Sequence, residues 1–185
     1  MIRALGLSAA LLLLAGCASP VVTRIDAAVP APLPARSSFA VVTPPGDTTL
    51  AHRQAIDMVS AALTQRGWTM AGSAPEAAGD HLLFVTLSDR PATAALQAGD
   101  DAGKASAVIG PAPDRKTTKG CARRDHRLAV RLTNRVTGAD VYSGSAAEYH
   151  CKAALDESLP HLVAAALDGL DGSPGQRMVE RAGVR

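Results

Sequence analysis

The chain has 185 residues, of which 47% are hydrophobic but only 3% aromatic, so its apolar character comes from small aliphatic side chains. The sequence has 37 alanines against two Phe, one Trp and two Tyr, and this predicts a thin aliphatic core in a single small domain. A formal charge of +2 is too small to argue for a nucleic-acid partner or for purely electrostatic adhesion to a membrane, and collagen-like and coiled-coil classes are excluded by composition.

Met1-Ile2-Arg3 places positive charge at the amino end, and residues 4–15 form an apolar run containing Leu11-Leu12-Leu13-Leu14. A helix spanning a bilayer needs about 20 apolar residues, whereas the core of a secretory signal takes about 7 to 15. The run ends at Leu14-Ala15-Gly16-Cys17. That sequence resembles the bacterial lipobox, in which small residues precede a cysteine that is acylated before cleavage. The resemblance implies a signal peptide over 1–16 and a mature chain starting at Cys17, with covalent lipid on that residue and no other cofactor. Two or more acyl chains, at about 0.8 kcal/mol per buried CH₂, hold a protein on a bilayer effectively permanently. In Gram-negative lipoproteins an Asp after the cysteine retains the protein at the inner membrane; Ala18 by that analogy implies the outer membrane, facing the periplasm.

After the anchor, residues 17–37 carry Pro20, Pro30, Pro32 and Pro34 and read as an extended tether, with residues 21–26 available as a first strand. A domain is expected over 38–170. Ser-Phe-Ala-Val-Val-Thr at 38–43 is a strand closed by Pro44-Pro45-Gly46. Ile56, Val59, Ala62 and Leu63 share one helical stripe over about 50–66, with Asp47 or Thr48 as N-cap and Gly67 beyond the end. Residues 68–71 read as a strand, and 81–88, apolar on both faces, as a covered central strand. Pattern is lost over 91–124, a long insert expected to be mobile. It returns as a hairpin over 127–133 and 141–150. Leu155, Leu159, Leu162, Val163, Ala166 and Leu167 then form a second helical stripe, with Ser158 as N-cap so that Pro160 falls in the first turn. Residues 171–185 read as a C-terminal tail. The predicted fold is α+β, a mostly antiparallel sheet with two helices on one face.

This order of elements resembles a family of bacterial lipoproteins of unassigned function whose α+β domain follows the lipobox. The residues that carry the resemblance are Val21-Val22-Thr23-Arg24-Ile25, the helix end at 63–68, the hairpin at 131–138 with Tyr142-Ser143-Gly144 after it, and Gly172-Ser173-Pro174-Gly175. The family supplies a fold and an address, and no catalytic residue.

Cys121 and Cys151 have their midpoint inside the predicted hairpin turn, so antiparallel pairing brings them opposite one another within a residue or two. In an oxidising compartment that predicts a disulfide, stabilising by about 3 to 4 kcal/mol on the chain-entropy model. His126 and His150 beside them complete a zinc ligand set in kind. Neither a C-x₂-C nor an H-x₃-H clip is present, however, and His150 and Cys151 are strand neighbours pointing to opposite faces, so no metal is expected. Residues 99–105 are one residue short of a phosphate loop, and Gly144-Ser145-Ala146 lacks the nucleophile-elbow pattern; its small residues are expected to let a helix approach the sheet. His52, Asp57, His81 and His161 read as solvated. Arg115, Lys116, Lys119, Arg123 and Arg124 form a basic run that could meet anionic headgroups or a polyanionic cell wall, or could be a solvated loop balanced by Asp114 and Asp125.

These readings converge on a non-catalytic accessory or structural module of the cell envelope. Its expected partners are the bilayer, through the acylated N-terminus, and an envelope protein or the cell wall, not nucleic acid. The alternative is a binding module for a small hydrophobic ligand or lipid in the space between sheet and helices; low aromatic content weighs against it.

Overall fold

The computed structural model describes residues 20–33, 37–43, 49–72, 78–91, 97–98, 107–108, 124–151, 153–172 and 174–183. In chain order the elements are β1 (Val21–Ala28), β2 (Ser38–Val42), α1 (Leu50–Gln65), β3 (Thr69–Gly72), β4 (His81–Pro91), β5 (Gln97–Ala98) and β6 (Ala107–Val108). They continue with β7 (Arg124–Asn134), β8 (Asp140–His150), α2 (Leu155–Leu167), a 3-10 turn (Asp168–Asp171) and β9 (Gly175–Arg181). Seven strands make one sheet in the order β3-β2-β4-β7-β8-β1-β9, while β5 and β6 pair only with each other. Strand β2 runs parallel to β3 and β4; the other ladders of the large sheet are antiparallel. Both helices lie on one face, so the fold is α+β. The expected signal segment lies outside the described residues, and so does the expected insert over 91–124 except for Pro91, β5, β6 and Arg124.

Two boundaries differ from the sequence reading. Residues 21–28, of which the sequence offers 21–26 as a first strand within the expected tether, form a full strand between β8 and β9. Thr23, Ile25 and Ala27 are buried while Arg24 and Asp26 face out, a period of two that the prolines bracket and do not interrupt. Residues 175–181 are not tail but an edge strand paired along β1. Most of its side chains are exposed, so no apolar alternation marks it. The central ladder is also longer than expected, running from His81↔Asn134 to Pro91↔Arg124.

Thr49 caps α1, its hydroxyl accepting from the His52 amide at 3.3 Å, and Gly67, at φ 87°, takes the left-handed turn that ends the helix. Ala55, Val59 and Leu63 carry its buried face. Helix α2 buries Leu159, Leu162, Val163, Ala166 and Leu167. It begins earlier than expected, at Ala154, because Glu157 Oε2 accepts from the Ala154 amide at 2.8 Å and closes the first turn. Ser158 is therefore not the cap, and Pro160 sits within the helix, where it removes one backbone donor. Gly144 is what lets α2 reach the sheet: a Cβ there would land on the Ala166 carbonyl oxygen. Tyr142 donates its hydroxyl to that same carbonyl at 2.5 Å, and burial, the largest influence, pushes its phenol up to about 12. Ser145 faces the other way. Between the layers Phe39, Leu63, Leu83, Leu128, Leu132, Leu162 and Leu167 are fully buried.

Candidate functional site

The most concentrated polar chemistry lies at one end of the sheet's inner face, and strand register builds it. Asp89 on β4 pairs with His126 on β7, His126 with Glu148 on β8, and Glu148 with Thr23 on β1. These residues form one row across four strands, with His150 one step further along β8. The start of α2 lowers Ser158 onto the row, and Arg181 reaches in from β9.

Glu148 is fully buried and accepts four hydrogen bonds. Thr23 Oγ1 and Arg181 Nε donate to Oε1 at 2.5 and 2.9 Å, and Arg181 Nη2 and His150 Nε2 to Oε2 at 2.6 and 2.7 Å. Burial alone would raise its pKa, but the bonds from Arg181, Thr23 and His150 together with the Arg181 charge outweigh it and hold the carboxyl at about 2. The bidentate guanidinium is the geometry that makes a buried carboxylate tolerable.

The rings of His126 and His150 lie 4.9 Å apart, tilted by 30°. Ser158 Oγ donates to the Leu155 carbonyl at 3.0 Å, so His126 Nδ1, 2.7 Å from the same oxygen, is the donor of that pair. His126 Nε2 stands 3.5 Å from Asp89 Oδ1. Burial first, and then the neighbouring His150, push the His126 pKa below its ordinary value, against the pull of Asp89 and Glu148. The imidazole is therefore neutral at pH 7.

Ser158, His126 and Asp89 are the residue types of a nucleophilic triad, but their arrangement is that of a structural pin. Ser158 and His126 are both fully buried, the serine proton is committed to a backbone carbonyl, and the imidazole donates toward the hydroxyl where a base would have to accept from it.

Of the residues nominated by sequence, Cys17, Arg115, Lys116, Lys119, Cys121 and Arg123 lie outside the described residues. Arg124 opens β7 and is bound to Asp89, Nε to Oδ1 at 2.5 Å and Nη2 to the Asp89 carbonyl at 3.3 Å. The bond to Asp89, its largest influence, raises its pKa, and its charge is already matched. Cys151 is disulfide-bonded and exposed; the ladder ends at Arg124↔His150, one residue short of it. His126 and His150, entertained as metal ligands, do come together, but with Glu148 and Ser158 as partners. No group of three or more metal-ligating side chains occurs among the described residues.

Two histidines expected to be solvated are buried. His52 Nε2 donates to the Val85 carbonyl at 2.8 Å, tying α1 to β4. His81 packs edge-on against Trp68, with Nδ1 2.9 Å from Ser37 Oγ. Asp57 and His161 are exposed, as expected. Asp89, Glu148, Ser158 and Arg181 were not singled out as site residues from sequence. One signal was present: Glu148 and His150 share the strand parity of Tyr142 and Ala146, which marks them as inward-facing.

The outward face of the sheet is different in kind. A recess of about 390 Å³, open to solvent, lies over β1, β8 and β9 and is lined by Arg24, Arg127, Ser145, Ala147, Gln176 and Met178 among others. No described helix is long and apolar enough to cross a membrane.

No protein-family model matches the sequence, and no curated protein matches it. Among solved structures the chain is similar to a PDZ domain protein from Parabacteroides distasonis, with a TM-score of 0.57 at 12% identity, over 88% of this chain and 38% of that one. The chain thus spans well under half the length of that protein, and the likeness shows the fold alone. It is similar more weakly to two PelC dodecamer structures from Paraburkholderia phytofirmans, with TM-scores of 0.48 and 0.46 at 14% identity. These cover 80% and 78% of this chain and 96% and 95% of those. These two likenesses are too weak to carry an argument.

Proposed function

We propose that the protein is a lipid-anchored module of the bacterial cell envelope, acylated at Cys17, with a non-catalytic accessory or structural role. The observation that carries this reading is Leu14-Ala15-Gly16-Cys17 directly after a charged start and an apolar run of signal-peptide length. By the analogy of Ala18 its membrane is the outer one and its domain faces the periplasm. Two structural features support the reading. First, β1 begins at Val21, so an acylated Cys17 would hold the sheet itself near the bilayer rather than a domain on a long leash. Second, Cys151 is disulfide-bonded, the state expected in an oxidising compartment, and Cys121 is the partner proposed for it. A non-catalytic role is supported by the use of Ser158, His126, Glu148 and Arg181 on one another. The alternative, a small hydrophobic ligand held between the layers, draws little from the packing, because large side chains of both helices and the sheet fill the interface.

The test is intact mass of the chain purified from a bacterial membrane fraction, without and then with reductant. A species starting at Cys17, with acyl mass added and two hydrogens lighter before reduction, is the expected result. A soluble chain beginning at Met1, with free thiols, would overturn the reading.

A further inference from the structure

Seven large hydrophobic side chains are conspicuously exposed among the described residues, and three of them gather on the outward face at one corner: Val22, Tyr149 and Met178. Leu50, Met70 and Val136 are scattered elsewhere. Register explains the gathering. Arg24 pairs with Ala147 on one side and Met178 on the other, and Ala147 pairs in turn with Arg127. This gives the row Arg127, Ala147, Arg24, Met178 on the outward face. Val22 and Tyr149 flank the row toward the amino end of β1, while Val179, paired with the inward-facing Thr23, turns to the opposite face of the edge strand.

The row has an unusual section. Ala147 and Ser145 give a floor of short side chains, and two arginines stand on strands either side of it, about 9 to 10 Å apart at the backbone. Together with Gln176 and Asp26, whose carboxylate accepts from the Gln176 amide at 3.1 Å, they bound the recess of about 390 Å³. The Arg24 guanidinium lies over the Tyr149 ring at 4.7 Å and donates to its hydroxyl at 2.6 Å. This orders the arginine through a ring contact and a hydrogen bond rather than an ion pair. Arg127 is half exposed and its Asp125 neighbour is 3.7 Å away, a loose surface pair of little strength. Exposed aliphatics, a tyrosine with an apolar body and a polar tip, and arginines whose stems lie along the same surface are the side-chain chemistry of a membrane interface. The arginine fork suits a phosphate.

The sequence also limits where this corner can be. Val21 lies four positions after Cys17, which at about 3.6 Å per residue allows at most about 14 Å between their Cα atoms. An acyl group on Cys17 would therefore keep the start of β1 within that reach of the bilayer surface, and Arg24, seven positions after Cys17, within about 25 Å.

We infer that the outward corner of β1, β8 and β9 is a membrane-facing surface, seating the phosphate of an anionic phospholipid between Arg24 and Arg127 while Val22, Tyr149 and Met178 enter the headgroup layer. This rests on the acylation of Cys17 proposed above. It assigns the anionic contact to folded strands, where the sequence nominated the basic run at 115–124.

The experiment is hydroxyl-radical footprinting of the full chain, isolated from membranes and reconstituted into vesicles of phosphatidylcholine alone or mixed with phosphatidylglycerol. Intact mass on the same samples reports the acyl group. On phosphatidylglycerol vesicles, labelling of Met178 and Tyr149 is expected to fall severalfold relative to Met70 and Leu50. The Arg24→Glu/Arg127→Glu double variant should restore it while leaving the thermal midpoint and acyl mass unchanged. Met178 labelled as fast as Met70 in an acylated sample would overturn this inference and leave the lipoprotein reading standing. Protection that is equal on both vesicles and indifferent to the arginines would overturn the anionic site. A chain without acyl mass would remove the premise and the inference together.

Discussion

Leu128 and His126 are two residues apart on β7, face the same helix layer and are both fully buried, yet their surroundings have almost nothing in common. Around Leu128 the inner face is filled by Leu83, Val130, Tyr142, Leu162 and their neighbours in one apolar cluster. Around His126 it is filled by Asp89, Glu148, His150 and Ser158. The middle of the layer is held by volume and by removal of apolar surface from water. The end is held by two groups of hydrogen bonds, Thr23, His150 and Arg181 on Glu148 and His126 on Ser158, with His126 Nε2 buried and without a hydrogen-bond partner among the described residues. The two regions should therefore fail in different ways, and the difference can be measured.

The largest effect is expected at the polar end. Glu148→Ala strips the anion from Arg181 and acceptors from Thr23 and His150, and should cost about 3–5 kcal/mol in urea unfolding, the usual consequence of breaking a buried pair on one side. Removing both charges together, as Glu148→Leu with Arg181→Leu, should recover most of that loss. A double variant no better than the single would mean that the pair contributes more than mutual neutralisation. In the apolar middle, Leu162→Ala should cost about 2–5 kcal/mol through lost burial and the cavity left behind. No second substitution of the charge-removing kind would rescue it.

The same contrast explains what sequence could and could not reveal. The apolar half was legible because its signals are local: the stripe of α2 at helical spacing, the alternation of β7, the breaker Gly67 after α1. The end of the sheet was not, because its members come from Thr23, Asp89, His126, Glu148, Ser158 and Arg181, and only strand register brings them into a row. The two strands at that edge, β1 and β9, gave weaker signals, β1 being offered only over 21–26. Strand β1 sits among prolines that suggest a spacer, and β9 is an edge strand whose exposed side chains give no period. His52 and His81 were misjudged for a related reason. A lone histidine on a helix or strand carries no sign of the carbonyl or aromatic ring that will accept it.

A smaller effect should come from the seam where α2 meets β8. Gly144→Ala places a methyl group against the Ala166 carbonyl and the Tyr142 hydroxyl, the two partners of the bond that fixes the helix to the strand. Overpacking of this kind costs about 1–3 kcal/mol. It should be accompanied by loss of the buried tyrosine's environment, read as a change in the absorption of Tyr142 on unfolding. The neighbouring Ser145→Ala, on the outward face, should leave both stability and absorption unchanged.

The smallest effect, and the most specific to the polar end, is in the pH dependence. His126 is neutral in the folded chain because its pKa is pushed below the ordinary 6.5. Above that value neither folded nor unfolded chain binds the proton, and stability is complete. As pH falls through 6.5 the unfolded chain takes the proton first, so stability declines until the folded imidazole also titrates. Glu148 acts lower down. Its carboxyl ionises at about 2 when folded against an ordinary 4.5, so its contribution is whole above 4.5 and is lost between there and about 2. Unfolding free energy followed from pH 8 to 3 should therefore fall in two stages, gently below 6.5 and more steeply below 4.5. Leu162→Ala should trace a curve parallel to the parent, displaced downward. His126→Leu should lose much of the first stage and keep the second. If the curve for His126→Leu kept the first stage in full, the division of the inner face into a pH-indifferent middle and a pH-sensitive end would fall.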